Sequence, residues 1–191
     1  MKKKFLLLLS LFALSISSSV MAQTDMTDRI SDPDFEQEGR SLWQTNSFGR
    51  QGNNTFPLKH GGYYREVWSG GTAGDAYIYQ DLTGLPAGTY TMTVACQNIK
   101  ESDSSLECTG TWIYANDKKT PFSQPNDYSV TCVVKDGKLR IGAEIKSCTG
   151  NYVCIDNVRL SYEVIFADIK DYLEQLTLSV PESSPSVSKC H

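Results

Sequence analysis

The residues best suited to binding a ligand lie between positions 63 and 68. This segment reads Tyr-Tyr-Arg-Glu-Val-Trp and is followed by a serine and a glycine pair. Aromatic rings stack on the C–H faces of sugars, and charged side chains bind sugar hydroxyl groups. Large aromatic residues beside glycines are not typical of a core, so we expect Trp68 to contact a ligand. Its expected neighbours in the site are Tyr63, Tyr64, Arg65 and Glu66, and the simpler alternative is an ordinary surface loop.

A second tryptophan is expected on an exposed sheet face. Trp112 precedes Ile113, and successive side chains of a strand point to opposite faces. If Ile113 points to the core, Trp112 lies on the sheet surface, where a cleft could form. Tyr77 and Tyr79 pose the same question on another strand. We expect Trp112 to take part in ligand binding together with Trp68.

Six alternating segments predict the β-strands that would position these residues. They are Ala76–Leu82, Tyr90–Cys96, Thr111–Ala115, Tyr128–Val134, Leu139–Ile145 and about Tyr152–Tyr162. Residues 135–138 contain Asp-Gly and are predicted to join two of these strands as a hairpin. Two long polar stretches, 45–74 and 100–110, are predicted to be loops. Many short strands separated by turn residues indicate an all-β fold, an antiparallel β-sandwich or jelly roll.

The residues after the last strand follow a different pattern. Apolar side chains from Ile165 to Leu176 fall on one helical stripe, which predicts a short helix over residues 163–178. This helix would either dock on the sandwich or contact a protein partner. Residues 179–191 are rich in Ser and Pro and are predicted to be disordered.

The N-terminal segment has the features of a secretory signal. Lys2, Lys3 and Lys4 precede an apolar run, and small residues lead to Ala22. We therefore expect residues 1–22 to be removed and residues 23–162 to form a soluble exported domain, periplasmic or extracellular, from a Gram-negative bacterium. Removal would leave 15 of the 18 basic residues against 22 acidic ones. This acidic balance argues against binding to nucleic acid or to an anionic membrane surface.

The six cysteines all follow the predicted signal. In an oxidising compartment they are expected to form disulfides or to remain buried thiols. Two pairings are locally plausible, Cys96 with Cys108 and Cys148 with Cys154. Zinc is disfavoured, because the chain has no C-x-x-C pair and only two histidines.

Little in the sequence supports catalysis. A hydrolytic triad needs a histidine base, and His60 is the only histidine before the last residue. The chain also has no G-x-S-x-G nucleophile motif. We therefore expect a protein that is not an enzyme.

Two acidic segments stand near the two ends of the predicted domain. They are Ser31–Glu36 and Cys154–Leu160, and each is predicted to be a short strand. Strands from opposite ends of one domain commonly pair in a β-sandwich. Acidic oxygens that meet there could hold a hard cation such as calcium.

The same two segments resemble a known family. Asp32-Pro33-Asp34-Phe35-Glu36 followed by Trp43 resembles the opening N-P-x-F-E…W of the family 4, 9 and 22 carbohydrate-binding modules. The segment Ile-Asp-Asn-Val-Arg-Leu at 155–160 resembles their closing I-D-D-V-x-L. The segment 79–90 resembles the central strand pair of galactose-binding-like jelly rolls in exported Bacteroidetes proteins. Together the resemblance covers about residues 28–162.

The resemblance implies a jelly-roll module that binds a glycan without catalysis. It also implies a structural calcium ion held by Glu36 and Asp156, and a packed Trp43. Asp32 and Asn157 depart from the family pattern, and Asn157 removes a charge near the implied ion. The second function considered is a structural or protein-docking sandwich that binds no glycan, because a fold does not dictate a function.

Overall fold

Two antiparallel sheets form a β-sandwich in the computed structural model, which describes residues 23–37 and 39–163. The six-stranded sheet has the order β3-β4-β11-β6-β9, and β1 pairs with the end of β11. Its strands are β1 Gln23–Asp25, β3 Gly49–Gln51, β4 Tyr64–Trp68, β6 Gly88–Ile99, β9 Asn126–Val134 and β11 Tyr152–Glu163. The five-stranded sheet, in the order β2-β5-β10-β7-β8, contains β2 Gln44–Thr45, β5 Ala76–Thr83, β7 Thr111–Ala115, β8 Lys118–Pro121 and β10 Lys138–Ile145. The predicted all-β antiparallel sandwich is confirmed.

Alternating apolar side chains build the core between the two sheets. On β6, Tyr90, Met92 and Val94 are buried and point inward, while the residues between them are partly exposed. The inward side chains of β10 show the same period, from Leu139 to Ile145. Burying one large aliphatic side chain contributes about 1.5–3 kcal/mol, so this two-residue period fixes which face of each sheet points inward.

The Asp-Gly turn at residues 135–138 does not form the predicted hairpin. β9 pairs with β6 in one sheet, whereas β10 pairs with β5 and β7 in the other. The turn therefore carries the chain from sheet to sheet. Asp-Gly chemistry explains the tight turn at Gly137, where φ is 74°, but burial of both inward faces determines which strands pair.

The stretch 45–74 is not one loop, because it contains β3 and β4. A second, smaller apolar cluster lies on the outer face of the six-stranded sheet, where Phe56 covers Tyr64, Tyr152, Ala95 and Cys154. The segment between β3 and β4 therefore packs against the sheet. This arrangement explains why an aromatic-rich segment that looks like a loop is largely ordered structure.

The two acidic segments meet, but the first of them is not a strand. Asp32 and Phe35 have positive φ angles of 53° and 55°, so residues 32–35 form a turn. Val158 donates its N–H to the Pro33 carbonyl at 3.0 Å, and Arg159 donates to the Asp34 carboxylate at 2.8 Å. Pro33 lacks an N–H and cannot extend a ladder of strand hydrogen bonds.

Trp43 lies in the core, as predicted. It packs against Phe35 with ring centroids 5.4 Å apart, and its indole N–H donates to the Asp32 carbonyl.

The five cysteines in the described residues are buried free thiols, so neither predicted disulfide is present. Cys96 and Cys148 lie in the core between the sheets, whereas Cys154 belongs to the cluster on the outer face. Cys148 and Cys154 are therefore separated by the sheet itself. Burial raises the pKa of the Cys96 and Cys154 thiols, which makes them poor nucleophiles.

Several predictions concern residues outside those described. The signal segment, the disordered tail and residues 164–178 of the predicted helix lie there, while Glu163 ends β11. No helix within residues 23–37 and 39–163 is long and apolar enough to span a membrane.

Candidate functional site

An open groove of about 240 Å³ lies on the outer face of the six-stranded sheet. It lies next to the end of β4, the end of β6 and the start of β11, which are adjacent in the sheet. Trp68 stands beside it with 58% of its surface exposed. Six other residues line the groove: Gln51, Asn53, Thr55, Glu66, Glu101 and Tyr152. Except for the two glutamates they are uncharged, and all six can donate or accept hydrogen bonds.

The Trp68 indole is held at its polar edge. Its N–H donates to a carboxylate oxygen of Glu101 at 2.6 Å, and Asn151 donates its side-chain amide to the same oxygen at 3.0 Å. Asn151 in turn accepts from the Glu101 backbone N–H. A second groove is also lined by Trp68 and Glu66, together with Arg50 and Asp75. The ring is therefore fixed in orientation while remaining accessible.

Below Trp68, hydroxyl groups form a hydrogen-bonded floor. The Tyr64 hydroxyl donates to Asn53 at 2.6 Å and lies 2.7 Å from the Tyr152 hydroxyl. A carboxylate oxygen of Glu66 lies 3.0 Å from the Tyr64 hydroxyl oxygen and competes with Asn53 for its single proton, and Thr55 bonds to Tyr152. Burial raises the pKa of both tyrosines, so they remain protonated at neutral pH. This network fixes the positions of the polar groups that face the groove.

The structure brings only part of the predicted site together. Trp68 and Glu66 share the groove. Tyr64 supports it but is fully buried, so its ring cannot stack on a ligand. Tyr63 is exposed, yet the Arg50 guanidinium lies 3.2 Å from its ring centroid and covers one face. Residues 64, 66 and 68 share the outer face of β4, and Tyr64 is buried there because Phe56 covers it.

Two further predicted residues lie elsewhere. Arg65 has the opposite parity on β4, and its guanidinium lies 5.5 Å from the Phe35 ring centroid. Trp112 is on β7 of the other sheet, so it cannot share a groove with Trp68. The position of Trp112 depends on which sheet β7 joins, and local sequence does not encode this choice.

Five groove residues were not predicted: Gln51, Asn53, Thr55, Glu101 and Tyr152. The first four belong to stretches that looked like loops, which separated them from Trp68 by up to 33 positions. Tyr152 begins β11, and its pairing with Trp68 across the ladder places the two residues side by side. Only a long-range pairing rule could have identified them.

Glu36 and Asp156, the predicted calcium ligands, contact the same loop. Glu36 accepts from the backbone N–H groups of Gly62 and Tyr63 at 2.7 and 2.9 Å. Asp156 is fully buried and accepts from the His60 backbone N–H at 2.6 Å. Burial raises the pKa of Asp156 to about 7, and the nearby charge of Glu36 contributes to the shift. A buried carboxylate of this kind is stabilised by a cation.

The donor chemistry near Asp156 fits calcium, which prefers oxygen ligands. The buried Asn157 side-chain oxygen has no hydrogen-bond partner in the described part of the chain and is a candidate calcium ligand. Against this, both oxygens of Asp156 and one of Glu36 already accept backbone N–H groups. No cluster of three or more His, Cys, Asp or Glu side chains suited to a metal occurs among residues 23–37 and 39–163. An ion would therefore depend on backbone carbonyls as well as on these carboxylates.

Comparison with known proteins identifies the architecture. No protein-family model and no curated protein matches the chain. A family 61 carbohydrate-binding module, TmCBM61, solved in complex with β-1,4-galactotriose, has 17% identity and a TM-score of 0.54 over 69% of this chain and 96% of that one. A cyclase from Fischerella sp. TAU has 17% identity and a TM-score of 0.52 over 73% and 97%. At these identities the likeness shows a β-sandwich like that of carbohydrate-binding modules, and it does not confirm the specific families 4, 9 and 22.

Proposed function

We propose that the protein is a non-catalytic module that binds a glycan in the Trp68 groove. The observation that carries this proposal is the exposed indole, which is fixed at its edge by Glu101 and surrounded by hydrogen-bonding groups. A large exposed aromatic ring held rigidly beside polar groups suits a sugar, which has both C–H faces and hydroxyls. The similarity in fold to a module that was solved with a galactotriose adds support.

Binding would combine stacking with hydrogen bonds to carboxylates. Trp68 would contact the C–H face of one sugar ring, and Glu66 and Glu101 would accept from its hydroxyl groups. Hydrogen bonds to charged acceptors contribute about 1.5–3 kcal/mol each. Because the groove residues include two carboxylates and no cation, a neutral glycan suits the groove better than a uronic acid polymer.

The positions of the ionisable groups argue for binding without catalysis. Asp156 is the described carboxylate whose pKa is raised to about 7, the property expected of a general acid. It is fully buried, so a substrate cannot reach it. His60 is on a surface loop, and its imidazole lies 3.7 Å from the Asp34 carboxylate, outside the Trp68 groove.

A glycan array tests the proposal directly. The wild-type protein should bind neutral oligosaccharides, with β-1,4-galactotriose as the first probe. Trp68→Ala should reduce the affinity by at least tenfold, because the stacking surface is lost. Leu42→Ala is the matched control, since Leu42 is an exposed apolar residue that is 65% accessible and does not line the groove. Absence of any hit, or hits that Trp68→Ala leaves unchanged, would reject the site and favour a structural or protein-docking role.

We also propose that calcium binds at Glu36 and Asp156 and stabilises the fold. The support is the buried Asp156 carboxylate beside a second acidic side chain. A ligand that binds only the native state at 100 times its Kd adds about 2.7 kcal/mol of stability. Calcium should therefore raise the Tm relative to EGTA in the wild type and not in Asp156→Asn. Asp81→Asn, which changes an exposed carboxylate on the other sheet, should keep the calcium response; an equal Tm in calcium and EGTA for the wild type would exclude the ion.

Export remains a proposal that rests on the N-terminal sequence. The basic residues and apolar run before Ala22 have the order of a signal peptide. Expression of the full chain in a Gram-negative host should give a product that begins near Gln23 in the periplasm or medium. A cytoplasmic product that retains Met1, as determined by mass spectrometry, would contradict export.

A further inference from the structure

The outer face of the five-stranded sheet carries four aromatic side chains in a regular arrangement. Tyr77 and Tyr79 lie on β5, and Trp112 and Tyr114 lie on β7, with β10 between them. Neighbouring strands are about 4.8 Å apart, so the two aromatic pairs are separated by about 10 Å. We call these four residues the aromatic band.

The strand register aligns the band in two rows. Glu144 of β10 lies opposite both Tyr77 and Trp112, so these three residues form one row across the sheet. Gly142 lies opposite both Tyr79 and Tyr114 and forms the second row. The band therefore extends across three strands and along two positions of each.

Gly142 allows the band to lie flat on the sheet. A Cβ atom at this position would lie 2.8 Å from the Tyr114 hydroxyl oxygen and would also clash with the Ile78 carbonyl. The Tyr114 side chain thus extends over the strand that lacks a side chain there. On the β5 side, the rings of Tyr77 and Tyr79 are 5.9 Å apart, and Tyr77 is 44% exposed.

Charged residues around the band are compensated in pairs. Arg140 donates two hydrogen bonds of 2.7 Å to Asp81 and lies 4.1 Å from the Tyr79 ring centroid. Lys119 pairs with Glu144. Formal charges in these two pairs cancel, and Arg140 covers one face of Tyr79, so the surface offers the rings of Tyr77 and Trp112 and fixed polar groups without a net charge. A neutral ligand with flat apolar faces and hydroxyl groups suits this chemistry, and an extended neutral glycan has both.

We propose that the aromatic band is a second glycan-binding surface and that the protein holds two glycan chains at once. This inference rests on the proposed function of the Trp68 groove. The two sites lie on the outer faces of different sheets and point away from each other, with the core between them. One short oligosaccharide cannot reach both sites. When both sites are occupied, the protein therefore joins two polysaccharide chains, or two distant parts of one long chain.

The test compares four proteins on immobilised β-1,4-galactan, xylan and mixed-linkage glucan. They are the wild type, Trp68→Ala, the double variant Tyr77→Ala with Trp112→Ala, and the triple variant. Trp68→Ala and the double variant each keep one of the two sites. Each should therefore still bind a glycan that the wild type binds, with the apparent affinity lowered by 10-fold to 100-fold. The triple variant should not bind. Only the wild type should increase the light scattering of the dissolved polysaccharide, since bridging requires both sites.

The outcomes separate this inference from the proposed function. If Trp68→Ala is as inactive as the triple variant, the groove is the glycan site and the second surface is rejected. If the wild type binds none of the three polysaccharides, both proposals are rejected. If the wild type is a dimer by light scattering and the double variant is a monomer, the band binds a second copy of the chain, which also overturns the inference.

A further variant guards against misfolding. Trp112 is half-buried, so its replacement could disturb the sheet. Tyr77→Ala alone changes an exposed side chain and should already weaken binding in the Trp68→Ala background. No additional loss in that background, with an unchanged circular dichroism spectrum, would reject the band.

Discussion

Trp68 and Tyr64 have different environments although they have the same strand parity. Both lie on the outer face of β4, yet Phe56 covers Tyr64 while Trp68 remains exposed. The sequence was sufficient to predict that Trp68 lies outside the core, because an aromatic residue beside glycines is rarely core. It was insufficient for Tyr64, since its burial depends on a segment that folds back from β3.

The hydroxyl network below the groove predicts a measurable stability change. Tyr152→Phe removes the hydroxyl that joins Thr55 and Tyr64, and the free energy of unfolding should fall by about 1–2 kcal/mol because buried polar atoms lose a partner. Urea unfolding measures this change. Tyr162→Phe is the control, because its hydroxyl makes an exposed hydrogen bond to the Ala87 carbonyl and should matter less. Equal effects in the two variants would show that the network contributes no special stability.

At the level of elements, long alternating strands were predictable and their partners were not. β5, β6, β7, β9, β10 and β11 all appear within a few residues of the predicted bounds. The short strands β3 and β4 were missed, because three to five residues give too little alternation to distinguish a strand from a loop. The Asp-Gly turn before β10 was assigned to a hairpin, although its two strands join different sheets.

β10 contains the clearest constraint on a single element. Gly142→Ala should destabilise the protein by about 1–3 kcal/mol, because the added Cβ clashes with the Ile78 carbonyl and the Tyr114 side chain. Thermal and urea unfolding measure the loss. Gly74→Ala is the matched control, since no atom lies within 4 Å of its added Cβ. A Gly142→Ala protein as stable as the control would mean that Tyr114 does not cover β10 in solution.

For the whole molecule, the two sheets enclose one main core, and the outer cluster adds a second layer on one side. Cysteines are part of both, and of the two expected states, disulfides and buried thiols, the five described cysteines have the second. Their alternation with apolar neighbours, as in Val94 and Cys96, was the available signal for burial. Composition left oxidation and burial open, and the structure has free thiols at all four positions of the two predicted pairs.

Burial of these thiols predicts their reactivity. In a Cys190→Ser protein, DTNB should label none of the remaining cysteines within minutes under native conditions, because reaction requires global unfolding. After unfolding in guanidinium without reductant, all five thiols should react. The Cys132→Ser variant is the control for stoichiometry and should give one thiol fewer. A deficit of two thiols in the unfolded protein would reveal a disulfide that the structure does not contain.

The pairing of β1 with the end of β11 has a consequence for how this domain can be combined with others. Gln23 lies directly opposite Glu163, so the polypeptide enters and leaves the sandwich at adjacent points. Domains with neighbouring termini tolerate insertion into a host protein and circular permutation. Residues 23–163 could therefore be placed within a surface turn of an unrelated enzyme without forcing the two flanking host segments apart.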